Sequence, residues 1–290
     1  MDLSLDRLIP RPRNLLVSLV LVAAGAFLWH STEQGYRDRM SWMGVTEWAE
    51  PGVLSFTRVM RNDGYLLGWS DVRVGALWVS YELRQSGDRQ IGPRPGFRQD
   101  WRTLWPVSTT SYSGSGYDRG HLAPNYAMAK VWGEDAQDDS FLMSNMMPQK
   151  PALNRQLWQR LEEVVMDHFL PRFGRLQVIT GPIYAETRIT DLEIDRLLDR
   201  VGFVEVPVAF YKIVVVPGDT PLAVAFIMPQ DVRGDESLKQ YLVSIDDVEA
   251  KTGLNFLPRL PASQEADWES VAGVGDLALS QVAELPSRFD

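Results

Sequence analysis

The 290-residue chain carries a net charge of −9, with 29 Lys and Arg against 38 Asp and Glu, and it contains no cysteine. That composition excludes disulfides and cysteine-ligated zinc, and its acidic balance argues against a polyanion binder that works by overall charge. The length suffices for one large core with flanking extensions, and no internal repeat or Pro/Gly/Ser-rich linker divides it.

At the N-terminus, Arg7, Arg11 and Arg13 precede an uncharged stretch from Asn14 to Thr32. As a helix this stretch spans about 28 Å, close to a bilayer core of roughly 30 Å. Basic residues before it and the body of the chain after it predict an N-terminus inside and an exported, periplasmic or otherwise extracytoplasmic body. Residues 1–32 thus read as a signal-anchor or a signal peptide. Ala24-Gly25-Ala26 resembles a small-x-small cleavage site, which keeps the second alternative open. Phe27-Leu28-Trp29 extends the apolar run past that site and favours an anchor formed by residues 14–32.

Further along, 76–83 reads as a strand rich in aromatic and β-branched residues. Residues 90–106 are a loop punctuated by Pro and Gly, and 108–116 is a Ser/Gly-rich stretch. Between Leu83 and His121 lie Arg84, Arg89, Arg94, Arg98, Arg102 and Arg119 against Asp88, Asp100 and Asp118, a local excess of three positive charges. This asymmetry favours a substrate groove over a merely solvated face. Acidity is concentrated instead in 191–199 and in the tail 261–290 (Glu265, Asp267, Glu269, Asp276, Glu284, Asp290).

The arginine run leads into Tyr117-Asp118-Arg119-Gly120-His121-Leu122-Ala123-Pro124. A neutral imidazole can take a proton from water near neutral pH. A guanidinium two residues away can hold phosphate oxygens in a fork. Base and anion clamp together are what hydrolysis of a phosphodiester needs, although a lone histidine in a turn is as often structural.

Residues 140–143 read as a short strand. From Pro151 to about Leu170, Leu153, Leu157, Leu161 and Val164 recur at helical spacing, with Pro171 and Gly174 expected to end the helix. Asn154 and Glu162, eight residues apart, share a face and are separated by roughly 12 Å of rise. They cannot both touch one ion, but one can bind it while the other reaches its water shell, which suits Mg²⁺. Taken without further context, Asn154 is equally a helix cap and Glu162 a solvated carboxylate. His168 reads as a helix-end histidine favoured by the dipole. Strands are expected at 176–180, at 203–216 with a break at Pro207, and at 222–228.

Phe141-Leu142-Met143-Ser144-Asn145-Met146-Met147-Pro148-Gln149 is followed by Leu153-Asn154, then by Trp158 and Glu162, four and eight residues after the asparagine. With the Asp-Arg-Gly-His box, and with Ser244–Glu249 and Thr252–Phe256 as a closing segment, the chain over 50–260 resembles the DNA/RNA non-specific endonuclease family. The resemblance implies an α+β, ββα-metal (His-Me finger) nuclease fold with a central antiparallel sheet flanked by helices. It implies a metal-dependent endonuclease of DNA and RNA with little sequence specificity. His121 resembles the general base and Arg119 the transition-state arginine. Asn154 resembles the single protein ligand of hydrated Mg²⁺ (or Mn²⁺), Glu162 the residue orienting its waters, and Asn145 an asparagine that orients the site. Arg94, with Arg98 competing, is the nearest match to an upstream phosphate-binding arginine. An arginine often found four residues after the glutamate is replaced by Met166, which leaves that role open. Two alternatives stand beside this: a catalytically weak, membrane-tethered nucleic-acid-binding domain, and a metallo-phosphodiesterase with a smaller substrate. The partners expected are DNA, RNA and, through the N-terminal segment, a membrane; a homodimer is left open, and no inhibitor is specified.

Overall fold

The computed structural model describes residues 12–52, 55–86, 89–185, 200–219, 221–273 and 279–286. Arg7, Arg11, the acidic run 191–199, Asp276 and Asp290 lie outside these residues. In chain order the elements that matter are helix α1 (Pro12–Met40), strands β1 (Arg58–Asn62), β2 (Tyr65–Ser70) and β3 (Gly75–Arg84), and strand β4 (Asp118–His121). Helices α2 (Asn125–Val131) and α3 (Glu134–Ser140), strand β5 (Met146–Gln149) and the long helix α4 (151–173) follow. Strands β6 (Arg175–Ile183), β7 (Ala209–Val216), β8 (Leu222–Pro229) and β9 (Leu242–Val243) and helix α5 (Ile245–Thr252) complete the set.

Seven strands form one sheet in the order β9-β8-β7-β6-β3-β2-β1, with every neighbouring pair antiparallel. The expected α+β architecture with a central antiparallel sheet is present. Its middle strands are covered on both sides, which is why β3 and β7 read as nearly continuous apolar runs and not as alternating ones.

The register separates two faces. Val79, Thr180, Lys212 and Phe226 lie in line on one, and α4 packs there, with Trp158 edge-on to Phe210 at 5.8 Å between ring centroids. Ser80 and Ile179 point to the other face, where the end of α1 docks. The Met40 carbonyl accepts from Ser80 Oγ (2.6 Å) and Gln177 Nε2 (2.5 Å). Tyr36, buried one turn earlier, donates to the Asn62 carbonyl and lies under the Arg61 guanidinium at 4.0 Å. The N-terminal part of α1 is a separate matter. Leu15–Met40 contains a window of mean hydropathy 1.8, none of it buried, long and apolar enough to cross a membrane. Ala24-Gly25-Ala26 falls within this unbroken helix.

Three expectations are corrected. Residues 140–143 are not a strand: Ser140 closes α3, Leu142 makes only an isolated bridge to Arg98, and the strand begins at Met146. His121 ends a strand and is not in a turn. Pro171 lies inside α4. The turn before it, Val165–Phe169, is π-helical, and that wider turn relieves the clash a proline ring otherwise makes with the carbonyl four residues back. Gly174 ends the helix instead, at φ 77° with its N–H on the Leu170 carbonyl (2.8 Å). The break at Pro207 is present between Val204–Glu205 and β7.

Candidate active site

Strands β4 and β5 pair antiparallel outside the main sheet, with His121 opposite Met146 and Asp118 opposite Gln149, and α4 starts two residues later. Two buried side chains lock this ββα unit. Asn145 Oδ1 accepts from Ala123 N (2.9 Å), while its Nδ2 donates to the carbonyls of Ala123 (2.9 Å) and Ser140 (2.8 Å). Asn145 therefore fixes the backbone that follows His121 from behind and does not line the cleft. Gln149, fully buried, folds across Gly120, where an added Cβ would lie 1.9 Å from its Oε1. That interlock explains why a glycine precedes the histidine.

The cleft, about 740 Å³, lies between β4 and α4. His121 stands in an aromatic box, edge-on to Phe141 at 4.9 Å and tilted to Phe97 at 6.1 Å. Burial and, secondarily, the nearby Arg94 push its pKa down to about 3, so the imidazole is neutral. Its Nε2 is buried without a hydrogen-bond partner. Arg119 is held over the Phe97 ring (4.8 Å) by two bonds to the Thr109 carbonyl, 3.1 Å from Nε and 2.6 Å from Nη2. Arg94 reaches the cleft across Phe141 (5.2 Å).

Of the arginine run, only Arg94 and Arg119 line the cleft. Arg98, expected as a substrate-binding residue, points elsewhere: its Nη2 donates to the Asp138 carbonyl (2.8 Å) and faces Asp139. Arg102 pairs with Asp100 and donates to the Arg61 carbonyl, covering the free edge of β1. Arg84 lies over Trp132 and pairs with Glu82. The run is thus largely structural, and two of its members make the positive wall.

Asn154 and Glu162 supply oxygen from the α4 wall, and Asp118 from the start of β4. Asn154 Nδ2 donates to Asp118 Oδ2 (3.0 Å). A carboxylate only accepts, so the amide nitrogen must face Asp118, and Oδ1 is left as that side chain's acceptor. Burial pushes the Asp118 carboxyl up, but Arg155 and Asn154 donate to it and hold it below the usual carboxylate range. The oxygen-only donor set fits a hard divalent ion that keeps most of its water. Among the described residues, the one cluster of three acidic groups close enough to cage an ion, Asp246, Glu249 and Glu269, lies outside this cleft.

A family model described as DNA/RNA non-specific endonuclease matches residues 50–263. The chain belongs to this family. Similar proteins include mitochondrial endonuclease G of Bos taurus, 32% identical over 231 residues that span 76% of this chain and 75% of the relative. A nuclease of Nostoc sp. is 32% identical, covering 73% of this chain and 77% of its own. A solved chain from the EndoG/EndoGI complex, a structure concerned with EndoG inhibition, superposes with a TM-score of 0.63 at 25% identity, over 78% of this chain and 93% of that one.

Within this non-specific endonuclease fold, two residues escaped the sequence reading. Arg155 enters the cleft from α4, two-thirds exposed and bidentate on Asp118 (2.7 and 2.6 Å). It stands eleven residues, close to three helical turns, before Met166, so it shares a face with the position that lacks an arginine. Lys212 lies under the cleft floor, its Nζ 3.7 Å from Glu162. His168 is exposed and does not line the cleft.

Proposed function

We propose that the protein is an exported endonuclease that uses Mg²⁺ or Mn²⁺ to hydrolyse phosphodiesters of DNA and RNA, with residues 14–32 holding it on the outer side of the cytoplasmic membrane. The observation that carries the catalytic part is His121: an imidazole with an unpartnered Nε2 that lines one cleft together with Arg94, Arg119, Asn154 and Glu162.

His121 takes a proton from water, which attacks phosphorus in line. Arg119, fixed by Thr109, places positive charge where the pentacovalent phosphate develops negative charge, and Arg94 binds the substrate phosphate beside it. Asn154 would hold the divalent ion through Oδ1, with Glu162 orienting its waters; when bound, the ion supplies charge neutralisation to the phosphate and the leaving oxygen. Groups that read phosphates and not base edges give little sequence specificity.

The test is digestion of plasmid and of RNA by the full-length chain, in Mg²⁺ with and without chelator. Loss of cleavage on chelation, restored by Mg²⁺ or Mn²⁺, is expected; binding without cleavage in saturating Mg²⁺ would overturn the assignment. Membrane fractionation with protease added from either side tests the topology separately: the chain belongs in the pellet, with its C-terminal part digested only from outside.

A further inference from the structure

Lys212 stands in the middle of β7, in a run from Ala209 to Val216 that is otherwise uncharged, and is 1% exposed. No hydrogen bond reaches its Nζ. The ammonium lies 4.4 Å from the centre of the Trp158 ring and 3.7 Å from Glu162 Oε1. Burying an ammonium is costly, and an apolar side chain in its place, beside Phe210 and Phe226, would carry no such penalty. Stability alone therefore does not account for a lysine here.

What the lysine touches does. Trp158 and Glu162 are one turn apart on α4, so the indole lies under the ammonium and the carboxylate stands over both. Glu162 Oε1 is buried, while 22% of the side chain stays open to the cleft. We infer that Lys212 is a positioning residue, which from the sheet side holds the Glu162 carboxylate in one orientation, its remaining oxygen presented to the cleft. Burial pushes the Glu162 carboxyl up from the usual carboxylate range, and Lys212 is the first of the groups that oppose this. The other acid beside it, Glu163, works in the opposite direction. Packed against the indole and paired with the carboxylate, the lysine thus acts on the reaction without reaching the substrate. The inference rests on Glu162 being an active-site group.

A double-mutant cycle in the full-length chain tests it, with plasmid cleavage measured across Mg²⁺ concentrations. Lys212→Gln should lower kcat by about tenfold or more and raise the half-saturating Mg²⁺, with KM for DNA within about threefold; Lys212→Arg should recover most of the loss. In a Glu162→Gln background the same Lys212→Gln change should alter kcat by less than about twofold, because its route of action is gone. An equal drop in both backgrounds, or a folded Lys212→Gln protein within about twofold of wild type, would overturn the inference. Should Lys212→Gln alone fail to fold, the comparison of Glu162→Gln with the double variant still decides: equal rates support the pairing, a further loss overturns it. Full activity in Glu162→Gln alone would remove the premise, a failure separate from that of the pairing.

Discussion

The two faces of the central sheet carry polar groups of different kinds. On the α1 face, Gln177 Nε2 donates to the carbonyls of Met40 and Tyr81 and to Ser80 Oγ, and Tyr211 OH donates to the Leu77 carbonyl. On the α4 face and in the cleft above it, His121 Nε2, Trp158 Nε1, Glu162 Oε1 and Lys212 Nζ are buried with no hydrogen-bond partner. Native proteins rarely leave such groups unpaired, and each instance calls for a reason. Near α1 the Gln177 network joins helix to sheet, although Thr46 Oγ1 and Asn62 Nδ2 there also lack a partner; on the α4 side His121 and Glu162 line the cleft, where substrate, water or metal would meet them, while Lys212 faces Glu162 from beneath.

The largest effect should come from the cleft face. His121→Ala is expected to lower kcat by about 10²–10⁴-fold or more with substrate binding nearly intact, and added imidazole to restore part of the rate. Near-wild-type turnover in the pure variant would break the comparison at its strongest point. The same histidine has a pH signature. Its folded pKa is depressed well below the usual value near 6.5, so its contribution to stability is complete above that pH and is lost as pH falls toward about 3, where the unfolded chain takes up the proton first. An NMR titration of the His121 ring in the metal-free protein should show no midpoint between pH 6 and 7; a midpoint there would mean the box is wetter than its geometry indicates.

Asn154→Ala should raise the Mg²⁺ requirement steeply or remove activity, and Glu162→Ala should cost less, since it acts through water. The reverse order at saturating Mg²⁺ would exchange the two roles. On the α1 face the expectation turns over. Gln177→Ala should destabilise by about 1–3 kcal/mol in urea titration, because it strips the donor from three buried acceptors, yet leave kcat per folded molecule unchanged. A fall in kcat would show that the faces are not separable. The smallest effect should be that of Arg155→Ala: binding of DNA weakened a few-fold and the slope of log affinity against log salt reduced by about one, if the Asp118 pair opens to phosphate. An unchanged slope would assign Arg155 to Asp118 alone.

The segments that build the candidate site were readable because their residues are closely spaced and chemically unusual: Asp118 to His121, Ser144 to Gln149, and Asn154 with Glu162 on one helical face. The covered strands β3, β6, β7 and β8 were also readable, as apolar runs. The hairpin of β1 and β2 was not, since Arg58, Arg61 and Asn62 break its apolar pattern while serving Asp71, Glu33 and Tyr36 across the fold. Helices α2 and α3 were missed because seven-residue helices give too few turns for periodicity to register. Arg98 and Arg102 looked like groove residues because local charge counts do not record which way a side chain leaves the backbone. Lys212 did leave a trace, a single cation inside Ala209–Val216, but its partner lies fifty residues earlier and only the packing of α4 on β7 joins them.

The continuity of α1 has a mechanical consequence. Only one turn, about 6 Å of rise, separates Trp29 at the end of the apolar run from Glu33, which is paired to Arg61 on the domain. Were its first half in a bilayer, as proposed, the unbroken helix would tie the position of the cleft above the lipid to the pairing of Glu33 with Arg61. An enzyme so anchored would diffuse in two dimensions. Its rate on long polymers would follow surface density and the approach of the strand to the membrane, so lengthening the chain with a flexible insert between Trp29 and Glu33 should change which molecules it cuts before it changes how fast it cuts them.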